Sequence, residues 1–298
     1  MSVVDKEIDY WYTTASGKHI PVFKGETKLK ALERVKEEKT DVEKINDFQK
    51  RQDTKSKAPL DKYKTEIDKT DFKDLEKLDY QKMYDDYEKW YKSLDKQEVN
   101  EVLEKLQDYN AEDLKASNPM GDFINEKLGY NNKPELISSK DFFIDEDGNV
   151  ATDTSLLDEN HWYRGISGNN TKEYINEFKN GKFFAGEGYG TNGTYFSQSY
   201  SEAYAYTGDE EKNIIYAMPK SNASIIQNRK IQTISSNLIQ KIDWNKYMSE
   251  EGELYTTFTD YILGDNGYAA SLLGYDIVEF ETDNRKVILN RGTIKVVK

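Results

Sequence analysis

Residues 161–168 read HWYRGISG, and this stretch decides how the second half of the chain is interpreted. Arg164 follows two aromatic residues and precedes Gly165, although most charges of this chain lie on polar segments. An arginine inside an apolar run is either a solvated strand end or a cation that grips a ligand, because a buried guanidinium needs hydrogen-bonding or anionic partners. The surrounding sequence has to distinguish the two roles.

Short apolar runs bounded by glycine, asparagine and aspartate surround this stretch and predict strands. They are WYRGI (162–166), GTYFS (193–197), NIIYAM (213–218), YDIVEF (275–280), KVILN (286–290) and TIKVV (293–297). Helical patterns such as TKEYINEFKNG (171–181) lie between them without regular alternation of one strand and one helix. This arrangement predicts an α+β fold rather than a repeated βαβ unit.

The chain before these strands differs in its glycine content and in the spacing of its apolar residues. No glycine occurs from Glu26 to Met120, and 16 of the 18 glycines lie from Gly121 onward. Apolar residues recur at three- and four-residue steps between Leu75 and Leu106, which is typical of amphipathic helices. We therefore predict a charged helical arm over residues 26–99, and a solvent-exposed helix or partial disorder over residues 24–60. Residues 1–25 are expected to form a β-hairpin or an extended docking segment.

Composition excludes several classes of function. The net charge of −13 argues against nucleic acid and an anionic membrane as partners, because both require a basic face. The chain has no cysteine and only two histidines, His19 and His161, so we expect no thiol nucleophile and no metal site. No apolar run reaches transmembrane length, and the N-terminus lacks the basic start and apolar core of a signal peptide. We expect a protein that acts without signal-peptide export.

The glycines at 186, 188, 190 and 193 do not form a dinucleotide-binding fingerprint, because they lead into a strand instead of opening a helix. The order YRG, GTYFS and AYAY, however, resembles the ADP-ribosyltransferase family, over about residues 100–298. The resemblance implies a split mixed β-sheet that binds NAD as a substrate, without a metal.

The resemblance also assigns roles to individual residues. Arg164 and Gly165 occupy the first motif, Tyr195 and Ser197 the second, and Tyr206 would stack on the nicotinamide, with Tyr204 as the alternative. The chemistry agrees, because a guanidinium fork pairs with phosphate or ribose oxygens and an aromatic face holds a planar ring.

The third motif of the family departs from its pattern. A catalytic glutamate should directly precede the apolar triplet of KVILNRGTIKVV (286–297), but Asn284, Arg285 and Lys286 stand there. Lysine cannot stabilise the developing positive charge of an oxocarbenium-like transition state, whereas a carboxylate can. The nearby acids are Glu279, Glu281 and Asp283, and we predict Glu281 or Asp283 as the catalytic acid, brought in by a short shift or bulge.

A second resemblance concerns both ends of the chain. WYTTASGKHIPVFKGET (11–27) is similar to a segment of tailed-phage minor head proteins, which are often fused to an ADP-ribosyltransferase-like domain. DNGYAASLLGYDIVEF (265–280) and VILNRG (287–292) resemble the end of those phage domains. The LNR motif makes Asn290 and its neighbour Arg291 candidate site residues.

Three hypotheses follow. The first is a mono-ADP-ribosyltransferase that modifies a host bacterial protein and that the virion could carry. The second is a virion component, docked on a portal or head protein, whose transferase fold is inactive. The third is an NAD-dependent toxin or antidefence protein. We combine the first two hypotheses. Both describe a phage-associated protein with an NAD-binding transferase fold, located in the virion or in the host cytoplasm.

Overall fold

The computed structural model describes residues 8–13, 19–27, 30–31, 58–109, 118–130, 133–143, 157, 159–168, 170–182, 191–208, 213–242, 250–282 and 284–298. The chain divides into two compact units, Met1–Lys55 and Ser56–Lys298. In the first unit, β1 (Ile8–Thr13) pairs antiparallel with β2 (His19–Phe23), in the segment where strands were expected. The charged stretch 32–57, for which an exposed helix or disorder was predicted, lies outside the described residues.

The second unit contains ten described α-helices and eight described strands. Its helices are α1 (Lys64–Lys69), α2 (Tyr80–Ser93), α3 (Lys96–Gln107), α4 (Pro119–Leu128), α5 (Ser139–Phe142), α6 (Thr171–Lys179), α7 (Tyr200–Ala205), α8 (Asn228–Ile239), α9 (Glu250–Leu263) and α10 (Asn266–Leu272). Its strands are β3 (Glu135–Ile137), β4 (Trp162–Gly165), β5 (Thr194–Ser197), β6 (Ile214–Pro219), β7 (Ile225–Gln227), β8 (Ile277–Glu279), β9 (Arg285–Ile288) and β10 (Ile294–Val297). The predicted α+β class is confirmed.

Side-chain caps explain where several helices begin. Asp79 accepts the backbone N–H of Lys82 at the start of α2, and Asp95 accepts that of Gln97 at the start of α3. Asn118 caps α4, which has proline at its first position. These side chains satisfy N–H groups that have no partner within the helix, so local sequence alone specifies these boundaries.

The strands form one mixed sheet in the order β3-β10-β6-β4-β5-β9-β8-β7. The pairs at its two ends, β3 with β10 and β7 with β8, are parallel, and the pairs between them are antiparallel. β4 and β5 share a single residue pair, Tyr163 with Ser197, whereas each has four pairs with its other neighbour. The sheet therefore consists of two four-stranded halves that meet at a narrow junction, here named the seam.

The two faces of the sheet pack against different helices. On the α6 face, Trp162, Phe196 and Ile288 lie in one cluster with Tyr174 and Phe178 of α6. On the opposite face, Tyr163 of β4 packs with Ala203 of α7, and Val278 and Val287 pack in the large cluster that contains α8, α9 and α10. Alternation along each strand therefore determines which side chains can meet.

The division predicted at residues 99 and 100 is not observed. Tyr84 of α2 hydrogen-bonds with Tyr255 of α9 at 2.6 Å, and the Tyr87 hydroxyl donates to Thr259 at 3.0 Å. Tyr91 packs edge-on against Tyr255, with their ring centroids 4.7 Å apart. These rings fill the core cluster that α9 shares with the sheet. Residues 58–99 are thus part of the second unit and not a separate arm, because their apolar stripe needs α9 to cover it.

No helix in the described ranges combines the length and apolar character needed to cross a membrane.

Candidate functional site at the seam

Arg164 lies where the two half-sheets separate. One residue beyond the only β4–β5 pair, its Nη1 donates to the backbone carbonyl of Tyr195, 2.9 Å away. The guanidinium thus takes the place of a backbone hydrogen bond across the seam. Its Nε is buried and finds no hydrogen-bond acceptor within the described part of the chain. The side chain is half-buried, so Arg164 is neither a solvated strand end nor a fully enclosed core residue.

Two aromatic rings of α6 each lie beside the guanidinium group of an arginine. The Arg164 guanidinium carbon lies 5.7 Å from the centroid of the Tyr174 ring, and that of Arg291 lies 4.7 Å from the Phe178 ring. Arg291 is fully buried, and its Nη1 is 3.3 Å from the Phe178 carbonyl. Burial lowers the pKa of Arg291 to about 10, while nearby Tyr174 and Asp122 oppose that shift and the Arg164 charge adds to it.

Gly165 allows α7 to approach the seam closely. A Cβ at this position would lie 1.8 Å from the carbonyl oxygen of Ala203 and 3.1 Å from the Cβ of Tyr206. Tyr206 follows α7 and is 64% exposed. Tyr204, its alternative, is half-buried and stacks on Tyr200, with centroids 6.1 Å apart. The structure therefore brings the Tyr206 side chain close to Gly165 on the α7 face of the sheet, whereas the Arg164 side chain lies on the α6 face.

Tyr195 and Ser197 point away from the Arg164 side chain. Alternation places Phe196 on the α6 face, whereas the ring of Tyr195 lies near Phe280 on the other face. The Tyr195 hydroxyl donates to the carbonyl of Thr191 at 2.7 Å. The contact of Tyr195 with Arg164 is made by its backbone carbonyl.

Ser197 belongs to a capping arrangement at the start of α7. Its buried hydroxyl donates to Glu202 at 2.6 Å and accepts the backbone N–H of Ser199 at 2.9 Å. Ser199 in turn accepts the N–H of Glu202. Sequence reasoning missed Glu202, although serine three residues before glutamate is the signature of a capping box.

Lys286 lies on the α6 face of the sheet. It is paired in register with Phe196 on β5 and with Glu279 on β8, and its ammonium forms an ion pair with the Glu279 carboxylate. The Lys286 side chain is only 5% exposed and that of Glu279 is 36% exposed. Paired residues share a face, so Arg164, Lys286 and Glu279 all lie on the face that α6 covers.

The two acids favoured from the sequence are placed differently. Glu281 is exposed in the turn that joins β8 to β9, and Asp283 lies outside the described residues. That turn is closed by a hydrogen bond from the Phe280 N–H to the Arg285 carbonyl, with Asn284 in the left-handed region at a φ of 54°. The strand register places Glu279 on the Arg164 face, an acid that sequence reasoning named but ranked behind the other two.

Asn290 forms a tight turn after β9. Its side-chain oxygen accepts the N–H of Gly292 at 3.2 Å, and its amide donates to Asp276 at 2.9 Å. These contacts fix the turn that carries Arg291, so both ends of the Asn290 amide are used within the fold. The expected contact of Asn290 with a ligand stays a prediction.

Two buried polar residues were not found from the sequence. Asp265 accepts hydrogen bonds from the backbone of Asn192, Gly267 and Tyr268, and from the Asn192 side chain at 2.8 Å. It thereby ties the segment before β5 to the start of α10. His161 is only 4% exposed, and its Nε2 lies 2.9 Å from the Phe142 carbonyl, because α5 packs over the start of β4.

Within the described ranges, no three His, Asp or Glu side chains are grouped closely enough to hold a metal ion. No protein-family model matches the chain, and neither a curated protein nor a solved structure shows significant similarity to it.

Proposed function

We propose that the second unit is an NAD-binding module of the ADP-ribosyltransferase type, in which Arg164 binds the dinucleotide at the seam. One observation carries the proposal. The Arg164 guanidinium is held at the junction of the two half-sheets, and the next residue, Gly165, lies against Ala203 and the Cβ of Tyr206, whose side chain is exposed.

The chemistry of these groups suits NAD. A guanidinium can offer a planar pair of N–H donors to pyrophosphate or ribose oxygens. An exposed tyrosine offers a face on which a nicotinamide ring can stack. The buried Nε–H of Arg164 has no hydrogen-bond acceptor in the described part of the protein, which leaves a donor for such a ligand.

ADP-ribosyl transfer requires an ionised carboxylate, and the candidate carboxylate of this protein is paired with a lysine. Cleavage of the bond between the nicotinamide and the ribose leaves positive charge on the sugar, which an ionised carboxylate stabilises. Lys286 stands where the family has its glutamate, and its ammonium already neutralises Glu279. We therefore assign NAD binding with strongly reduced transfer, which agrees with a binding or structural role for the fold.

A second candidate is an active mono-ADP-ribosyltransferase that modifies a host bacterial protein. Glu279 favours this alternative, because it is a partly exposed carboxylate on the Arg164 face. The association with a phage head or portal protein rests on the resemblance of residues 11–27. Retention of the protein on purified virions, lost when residues 1–25 are removed, would support it.

Calorimetric titration with NAD tests the proposal. Arg164→Ala should weaken the affinity by about tenfold or more, because it removes charge-assisted hydrogen bonds. Arg229→Ala is the matched control, since Arg229 has the same charge but stacks on Phe72, 4.4 Å from its ring. Equal affinities of Arg164→Ala and the unmodified protein, or no binding at millimolar NAD, would contradict the proposal.

Labelled NAD and a bacterial lysate separate the two candidates. The binding module should release little nicotinamide and label no lysate protein. Labelling that disappears in Arg164→Ala would establish the active transferase instead.

A further inference from the structure

We propose that Tyr174 is a positioning residue for Arg164: its ring fixes the guanidinium at the seam so that the remaining N–H groups face a bound dinucleotide. The inference rests on the proposed function. It concerns how the arginine is held, and Tyr174 itself need not touch the ligand.

Arg164 is restrained from two sides. The Tyr195 carbonyl accepts a hydrogen bond from Nη1, and the Tyr174 ring lies 5.7 Å from the guanidinium carbon. A long arginine side chain loses considerable rotamer freedom when it binds a ligand, and contacts that hold it beforehand reduce that loss. One hydrogen bond allows the guanidinium plane to rotate about the contact, whereas a ring beside it restricts the plane as well.

The position of Tyr174 is itself rigid. The residue lies in α6, and its side chain is 2% exposed within the cluster that also contains Trp162 and Phe196. Phe178, one helical turn later, packs against Phe196 with ring centroids 6.0 Å apart. Residues four apart lie on the same helix face, so α6 presents both rings to the sheet from one rigid element.

The second guanidinium shows that the arrangement is repeated. Arg291 lies over Phe178 in the way that Arg164 lies beside Tyr174. Tyr174 and Phe178 lie in the same buried cluster, so the two ring–guanidinium contacts are neighbours on α6. Arg291 is fully buried and cannot contact a ligand, whereas Arg164 is half-buried. Tyr174 therefore supports the arginine that a ligand can reach.

The test compares Tyr174→Leu, Tyr174→Phe and Phe178→Leu by NAD titration and by thermal unfolding. Tyr174→Leu should weaken NAD binding by about 3- to 30-fold, the range expected for loss of a cation–ring contact. Tyr174→Phe keeps the ring and should stay within about twofold of the unmodified affinity. Phe178→Leu is the matched control, because it removes a ring from the same helix face but leaves the contact of Arg164 intact.

The outcomes separate the two proposals. If Tyr174→Leu and Phe178→Leu change the affinity equally, or neither changes it while Arg164→Ala abolishes binding, the role of Tyr174 is wrong and the proposed function stands. If Arg164→Ala binds NAD like the unmodified protein, the proposed function itself fails.

A measurement on the unmodified protein covers the case in which Tyr174→Leu does not fold. Nitrogen-15 spectra of the Arg164 side chain, assigned by its loss in Arg164→Lys, should show a guanidinium with slowed rotation and a ring-shifted Nε proton. A signal averaged like that of free arginine would overturn the proposal.

Discussion

At the residue scale, the role of each key residue at or near the seam depends on one neighbouring residue. Gly165 admits the Ala203 carbonyl, which any Cβ would exclude. Arg164 replaces a backbone hydrogen bond between half-sheets. Lys286 is buried and forms an ion pair with Glu279. Each of these residues could be singled out in the sequence, but its partner could not.

Lys286→Gln tests whether Glu279 is a silenced catalytic acid. Removal of the ammonium leaves Glu279 as an unopposed carboxylate on the Arg164 face, so release of nicotinamide from NAD should rise by about tenfold, equivalent to about 1.4 kcal/mol of transition-state stabilisation. Loss of a buried ion-pair partner should also lower stability by about 3 kcal/mol. The measurements are nicotinamide release and denaturant unfolding.

The double variant Lys286→Gln, Glu279→Gln is the control for that change. It keeps the loss of Lys286 but removes the carboxylate, so nicotinamide release should return to the level of the unmodified protein. Equal release by the single and double variants would exclude Glu279 as the acid.

At the element scale, β5 depends on a helix that is distant in sequence. Asp265 begins α10 and binds the backbone and side chain of Asn192, which lies just before β5. The segment that leads into the aromatic strand is thereby fixed two residues before the strand begins. This contact joins residues 73 positions apart, so no local pattern could have predicted it.

Asp265→Ala should reduce the free energy of unfolding by about 3 kcal/mol. The change leaves buried N–H groups of Asn192, Gly267 and Tyr268 without their acceptor. Each buried group that loses its hydrogen-bond partner lowers the free energy of unfolding by about 1–3 kcal/mol. Urea unfolding measures the loss. A change below about 0.5 kcal/mol would mean that water replaces the carboxylate without cost.

The pH dependence of this residue has a defined sign. Burial raises the pKa of Asp265 above its ordinary value of 3.8, although hydrogen bonds from Asn192, Tyr268 and Gly267 oppose the rise. The folded protein therefore holds this proton more tightly than the unfolded chain. The stabilisation that results is fully present below pH 3.8 and is lost as the pH rises through the folded-state pKa. Relative to Asp265→Asn, which does not titrate, the stability of the unmodified protein should fall over that window and not rise.

At the scale of the whole molecule, the helices after residue 58 belong with the sheet. The sequence predicts their amphipathic stripes correctly, because periodicity depends on near neighbours in the chain. It does not show what the stripes face. In the structure, Tyr84, Tyr87 and Tyr91 meet α9, and the unit therefore begins near Ser56.

Truncation distinguishes the two divisions of the chain. Residues 56–298 should unfold in one cooperative transition, because they retain the complete tyrosine contacts between α2 and α9. Residues 100–298 lack α2 and should expose α9, giving a broad transition and strong binding of a hydrophobic dye. Cooperative unfolding of residues 100–298 with an unchanged denaturant midpoint would restore the boundary predicted at residue 99.

Sequence by itself determined the α+β class, the amphipathic helices and most of the described strands, and it singled out Arg164 and Gly165 as unusual residues. These features follow from near-neighbour patterns: alternation, helical periodicity, glycine and an isolated charge in an apolar run. Tertiary structure alone decided that Arg164 bridges two half-sheets, that the Tyr174 ring lies beside its guanidinium, and that Lys286 pairs with Glu279 while Glu281 stays in an exposed turn. Strand register and the packing of α6 fix those contacts, and both depend on residues that are far apart in the chain.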